Sequence, residues 1–135
     1  MLWGDSTNPV NFATQKGWFV DLPGSGERAN SDPQLALGTL AVVTNILDPS
    51  ACSVGGESYI NFFDYRSGQA VQSALGIGSV YLGSALGTRP NLFKTTDGKY
   101  RWVVDMSDTT LRGGLAPPPS GSGTRRTSWR ELIVQ

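Results

Sequence analysis

No stretch of this chain repeats apolar side chains at the i, i+3, i+4, i+7 spacing over ten or more positions, so no segment can bury one stripe as an amphipathic helix does. What recurs instead is a short apolar or aromatic run closed by Gly, Pro, Asp or Ser, the pattern of a strand running into a turn. Residues 17–22 (GWFVDL) are the first such run, closed by Pro23 and the glycine-bearing GSGER. Residues 40–46 (LAVVTNI) are the second, and the adjacent Val42 and Val43 suit a strand buried on both faces as well as a half-exposed one. In residues 58–71 (SYINFFDYRSGQAV), Tyr59, Asn61, Phe63 and Tyr65 alternate with Ile60, Phe62 and Asp64, as a pleated strand requires. Asp64 with Ser67-Gly68 supplies a turn, and 69–71 begin a return strand. Further strands are expected at 78–83 (GSVYLG), 90–95 (PNLFKT) and 100–106 (YRWVVDM). Asp97-Gly98 between the last two is the strongest short-range signal of a hairpin tip.

Residues 112–124 (RGGLAPPPSGSGT) are nearly all Gly, Pro and Ser, and three consecutive prolines cannot donate to a ladder, so this run reads as a linker. Beyond it, residues 125–135 contain an apolar and aromatic closing strand, SWRELIV. The expected organisation is therefore a body over 1–111, a linker over 112–124 and a closing strand in 125–135. The fold class is all-β, built of short antiparallel strands. Sandwich, barrel and propeller all fit such spacing. A four-stranded propeller blade takes roughly 40 to 45 residues, so 135 residues supply at most about three blades, fewer than a closed ring needs.

Composition narrows the chemistry. The 11 basic and 11 acidic side chains cancel, so no long-range field draws in a polyanion, and nucleic acid is not an expected partner. With no histidine, the chain lacks the usual general base, and Ser-His or Cys-His catalysis cannot be built from its own residues. Cys52 is the single cysteine, so neither an internal disulfide nor a cysteine-rich zinc site can form. It reads as a small buried hydrophobe or as a thiol that pairs outside this stretch. No run approaches the ~20 apolar residues of a membrane-spanning helix. The opening residues carry neither a basic nor an apolar signal region, which places any export signal in an upstream part of the protein. Trp18, Trp102 and Trp129 are expected in the core, since aromatic residues in short strands usually pack inward.

Several separated segments together resemble the PilY/PilC-type proteins at the tip of bacterial type IV pili. Lys16-Gly17-Trp18-Phe19-Val20-Asp21-Leu22-Pro23, Gly26-Glu27-Arg28 and Asp32-Pro33 match the family's KGW-(F/Y)-x-DLP, GER and DP in order. Asp48-Pro49 with Ala51-Cys52-Ser53-Val54-Gly55-Gly56 is similar to its DPCSxGG, and Arg125-Arg126-Thr127-Ser128-Trp129-Arg130-Glu131-Leu132 to its terminal RR-x-SWREL. The resemblance implies the C-terminal blades of an extracellular β-propeller, exported in a larger precursor and placed at the pilus tip or outer cell surface. It implies a non-catalytic factor in pilus assembly and adhesion, whose partners are pilin or minor pilin subunits and a host or abiotic surface. Arg125, Arg126 and Arg130 are the candidate partner contacts, since guanidinium groups bind carboxylates in bidentate fashion, although the preferred reading pairs Arg130 with an Asp or Glu on a neighbouring strand and leaves the other two solvated. The family's propeller carries a calcium loop of the D-x-[DN]-x-[DN]-G type, and no such run stands here. Asp97-Gly98, the nearest candidate, offers one carboxylate, so no cofactor is expected. The alternative is a fragment of a quinoprotein-like propeller dehydrogenase, whose repeats also end a strand in Asp-x-x-Ser/Thr-Gly.

Overall fold

The computed structural model describes residues 10–36, 38–50, 55–71 and 78–117. Among them the chain forms seven strands and no helix: β1 (Gln34–Ala36), β2 (Thr39–Leu47), β3 (Gly56–Asp64), β4 (Ser79–Gly83), β5 (Asn91–Lys94), β6 (Tyr100–Asp105) and β7 (Leu111–Leu115). The strands build two antiparallel sheets in simple chain order, β1-β2-β3-β4 and β5-β6-β7. All-β architecture follows from the missing helical periodicity, and the meander from turn signals placed between successive runs.

The long β2–β3 hairpin sets the register of everything else. Val43 pairs with Ile60, Ala41 with Phe62 and Asn45 with Ser58. Because side chains alternate, these six share one face, while Val42, Thr44, Tyr59, Asn61 and Phe63 take the other. The first face meets the second sheet. Ala41, Val43, Ile60, Phe62 and Leu82 join Trp102, Val104 and Met106 in one buried cluster, completed by Val71 and Ala85. Each large side chain sunk fully into such a core contributes roughly 1.5 to 3 kcal/mol.

A backbone segment threads between the sheets where the chain crosses from β4 to β5. Gly87 pairs with Met106 as an isolated bridge, and a Cβ there would lie 2.8 Å from a Val43 methyl. A buried backbone must find hydrogen-bond partners. Two polar side chains from the core face provide them. Asn45 Oδ1 and Ser58 Oγ each accept from the Gly87 N–H at 2.8 Å, and Asn45 Nδ2 donates to the Gly87 carbonyl at 3.0 Å. Ser58 Oγ stands 2.5 Å from both the Ala85 carbonyl and Asn45 Oδ1, and its single proton serves one of them at a time.

Three sequence expectations need correction. Residues 17–22 form no strand, because this segment crosses the outer face of the first sheet, where no ladder is open to it. The return strand after Gly68 is reduced among the described residues to the bridge between Phe63 and Ala70, with Val71 N donating to the Phe62 carbonyl. The linker expected over 112–124 begins later, because Leu111–Leu115 is β7, paired residue by residue with Asp105–Arg101. Its two glycines reflect close approach: a Cβ on Gly114 would lie 3.1 Å from the Trp102 indole, and one on Gly113 would lie 3.0 Å from the Trp102 carbonyl oxygen. Strand β1 was hidden from the pattern by its length of 3 residues. The closing strand expected in 125–135 lies outside the described residues.

Asn45→Ala removes both bonds that hold Gly87 from β2 and leaves its carbonyl without that partner. Each buried group orphaned in this way costs about 1 to 3 kcal/mol. The urea midpoint should fall accordingly with an unchanged slope. An unaltered midpoint would show that the crossover is held by packing alone.

Candidate interaction surface

The outer face of the first sheet is crossed by an N-terminal arm, residues 10–33, fastened at two points. At the first, Trp18 Nε1 donates to the Tyr65 carbonyl at 2.8 Å, and its ring lies 5.9 Å from that of Phe63. The seat for this ring is the turn after β3. Asp64 Oδ1 accepts from the Arg66 N–H at 2.8 Å, and Gly68 follows at φ +71°. The aspartate and glycine thus take the roles the sequence assigned them. Glycine is required twice over, because a Cβ at Gly68 would also lie 2.4 Å from the Trp18 ring. Trp18 is therefore half-buried against the sheet, while Trp102 lies in the core as expected.

At the second point, Glu27 Oε1 accepts from Thr44 Oγ1 at 2.6 Å and Glu27 Oε2 from the Gly24 N–H at 2.9 Å. Thr44 Oγ1 in turn accepts from Asn61 Nδ2 at 2.9 Å. Arg28 then pairs with the edge of β2 at Asn45, and Asn45 Nδ2 reaches Asn30 Oδ1 at 2.6 Å. Trp18, Glu27 and Arg28, singled out in the sequence as motif residues, are thus fasteners of the arm. The arm's other aromatics turn away. Phe19 is 85% exposed and Phe12 62% exposed. Tyr59 and Tyr81 stand 5.2 Å apart on the same side of the sheet, and desolvation, reinforced by Glu57, pushes the Tyr59 phenol above its ordinary range.

The second sheet has a corresponding open face. Phe93, Val103, Leu111 and Leu115 lie on the side turned away from the core, with Gly113 between the two leucines. Leu111 is 67%, Leu115 50% and Phe93 43% exposed. Arg101 completes this face, its guanidinium 3.7 Å from Asp97. An apolar row edged by charge is the composition of a surface that meets another protein surface. The sequence carried a signal for it: Leu92 and Phe93 are adjacent, so β5 presents apolar side chains on both faces, as a strand covered on both sides does.

An open cleft of about 470 Å³ lies at the far end of the β2–β3 hairpin, lined by Ile46, Leu47, Pro49, Glu57 and Ser84 among others. Its described lining holds one hydroxyl, Ser84, and two carboxylates, Asp48 and Glu57. Among the described residues no three His, Cys, Asp or Glu side chains converge as a metal site would require. The Asp97 carboxylate at the β5–β6 tip is engaged locally, accepting from Thr95 Oγ1 and from the Lys99 N–H, with Gly98 at φ +81°. These bonds hold its pKa below the ordinary carboxylate value. No helix among these residues is long and apolar enough to cross a membrane. Cys52, Arg125, Arg126 and Arg130, the residues the sequence nominated for thiol chemistry and partner contact, lie outside the described residues, as do Trp3 and Trp129. No protein-family model, curated protein or solved structure matches the chain.

Trp18→Ala should free the arm, lowering stability by about 1 to 3 kcal/mol for a half-buried ring and its hydrogen bond. Limited proteolysis within residues 10–33 should then outpace cleavage in the sheets. Equal cleavage rates in both proteins would place the arm's hold at Glu27 instead. Asp97 allows a pH test. Its folded pKa is depressed, so its contribution is present above the unfolded value of about 3.9 and is lost as pH falls through the lower, folded value. Asp97→Asn should therefore melt below the parent protein at neutral pH, and the gap should close in acid. A gap that persists at the lowest pH would assign it to something other than the charge.

Proposed function

We propose that the chain contributes two successive blades to the C-terminal part of a larger extracellular β-propeller, in a non-catalytic type IV pilus biogenesis and tip-adhesion factor of the PilY/PilC type. One observation carries the propeller part of this reading. The two meanders follow one another in chain order, stack through one core and bring their first strands together, the Leu92 N–H of β5 donating to Gln34 Oε1 of β1 at 3.2 Å. Radial stacking of meander sheets with first strands adjacent at the axis is how blades are arranged. The exposed row Phe93, Val103, Leu111 and Leu115 then faces the next blade, and the arm with Phe12 and Phe19 faces the preceding one. Neither surface resembles a substrate pocket, which favours assembly over catalysis.

On this reading the partners are pilin or minor pilin subunits and a host or abiotic surface, and the place of action is the pilus tip or outer cell surface. Deleting residues 34–115 in frame in a piliated host that encodes the protein should leave few or no surface pili by electron microscopy and abolish attachment. The double variant Phe93→Asp/Leu111→Asp should weaken both without preventing secretion. Normal piliation and attachment in the deletion strain would overturn the proposal.

A further inference from the structure

Tyr59 of β3 and Tyr81 of β4 are directly opposed across their ladder, with ring centroids 5.2 Å apart and planes tilted by 53°. Tyr81 is 50% exposed and Tyr59 is half-buried. Both hydroxyls are tied to the rim of the cleft at the end of the β2–β3 hairpin. That of Tyr59 bonds to Glu57, and that of Tyr81 stands 3.3 Å from Ser84 Oγ. We propose that this rim and cleft bind a lysine side chain of a partner protein, with its ammonium beside the two rings and the Glu57 carboxylate and its alkyl stem in the cleft.

Three features select this ligand. The first is charge. Desolvation raises the Tyr59 phenol, and Glu57, Tyr81 and Glu27 raise it further. Surroundings that oppose a phenolate in this way hold a negative potential, and an electron-rich ring beside a carboxylate attracts a cation. A phosphate-bearing headgroup would instead meet Glu57 and Asp48, both of which line the cleft. The second is shape. Two rings tilted by 53° form a wedge, whereas a sugar ring or a guanidinium plane stacks on a flat surface. A lysine ammonium is a compact point charge with three donors, and Glu57, Ser84 and the Tyr81 hydroxyl offer it acceptors. The third is the cleft itself, about 470 Å³ in volume, with Ile46, Leu47 and Pro49 among its walls. Apolar walls behind a charged rim suit a side chain that buries a hydrocarbon stem and keeps its charged head at the surface.

The register of β3 and β4 assembles the site. Tyr59 pairs with Tyr81 but Ser58 pairs with Gly83, so Leu82 is the extra residue of a β-bulge. Leu82 turns into the core at 3% exposure, while Tyr81 stays outward. The same extra residue brings Ser84 level with Glu57, and both then line the cleft. The inference does not rest on the pilus reading, since it needs only β3, β4 and the cleft beside them.

Titration of the full-length protein with Nα-acetyl-lysine amide, followed by NMR through its backbone amide signals, tests the assignment. Saturable shifts centred on Glu57, Tyr59, Tyr81 and Ser84 are expected, and Nα-acetyl-norleucine amide, which has an uncharged alkyl chain, should give none at the same concentration. Tyr81→Leu should weaken lysine binding roughly two- to fivefold, the size of an exposed cation–π contact. Tyr81→Phe keeps the ring face and should weaken it less, and Glu57→Gln should weaken it by removing the carboxylate charge. Tyr81 is half exposed, so these replacements leave the core intact. Equal binding of the norleucine amide would reduce the site to an apolar cleft, and tighter binding of choline than of the lysine amide would give it to a free quaternary ammonium. Either result, no saturable shift with the lysine amide, or unchanged affinity in Tyr81→Leu would overturn the proposal.

Discussion

The structure depends on how the chain passes from one sheet to the other. At Gly87 the crossover has its backbone buried among Val43, Val104 and Leu82, where unpaired amide groups would cost more than a good packing contact returns. Asn45 and Ser58, opposite each other on β2 and β3, turn that liability into a clamp, because both reach the Gly87 amide from the core face. A valine at either position would suit the alternation equally well but would remove one of the two acceptors of the Gly87 N–H, and at position 45 the donor to its carbonyl as well. Gly87 is itself constrained, with Val43, Val104 and Leu82 around the position of a Cβ. The clamp fixes the crossover, the crossover fixes β5 beside β1, and the sheets then pack as one core.

Glycine plays two different parts in this fold, and composition alone does not separate them. At Gly38, Gly68 and Gly98 the backbone adopts positive φ to close turns. At Gly113 and Gly114 it leaves room for the backbone and ring of Trp102. The second use is what made β7 resemble a linker: a Gly-Gly pair followed by prolines has the composition of flexible chain, and only the register with Val103 and Trp102 shows that the pair is strand.

Where burial requires alternation, the sequence was legible. β6 lies within a run that could be read directly and β2 and β3 each overlap one, and the Asp97-Gly98 tip stands between β5 and β6 as hairpin chemistry demands. The miss at residues 17–22 has a tertiary cause. Trp18 and Leu22 have strand-like spacing, but the ring of Trp18 is seated on Gly68 by a contact 50 residues distant in sequence, which no local pattern encodes. The candidate surface was half legible: Leu92-Phe93 announces a strand apolar on both sides, whereas Leu111 and Leu115 become a row only once β7 is recognised as a strand.

The motif residues and the open surfaces divide the molecule's work between them. Trp18, Glu27, Arg28, Asp64 and Gly68 spend their chemistry inward, on carbonyls, amides and a neighbouring ring, so substituting them alters how the arm lies before it alters any contact with a partner. Phe12, Phe19, Phe93, Leu111 and Leu115 keep much of their apolar surface outward. Such residues are costly in water, and they stand on two separate surfaces, the arm and the second sheet. The chain thus encloses one core between its sheets while leaving apolar area on both outer surfaces. The segments that stand out in the sequence therefore build its shape, and the side chains left on its outer surfaces are the unremarkable apolar ones between them.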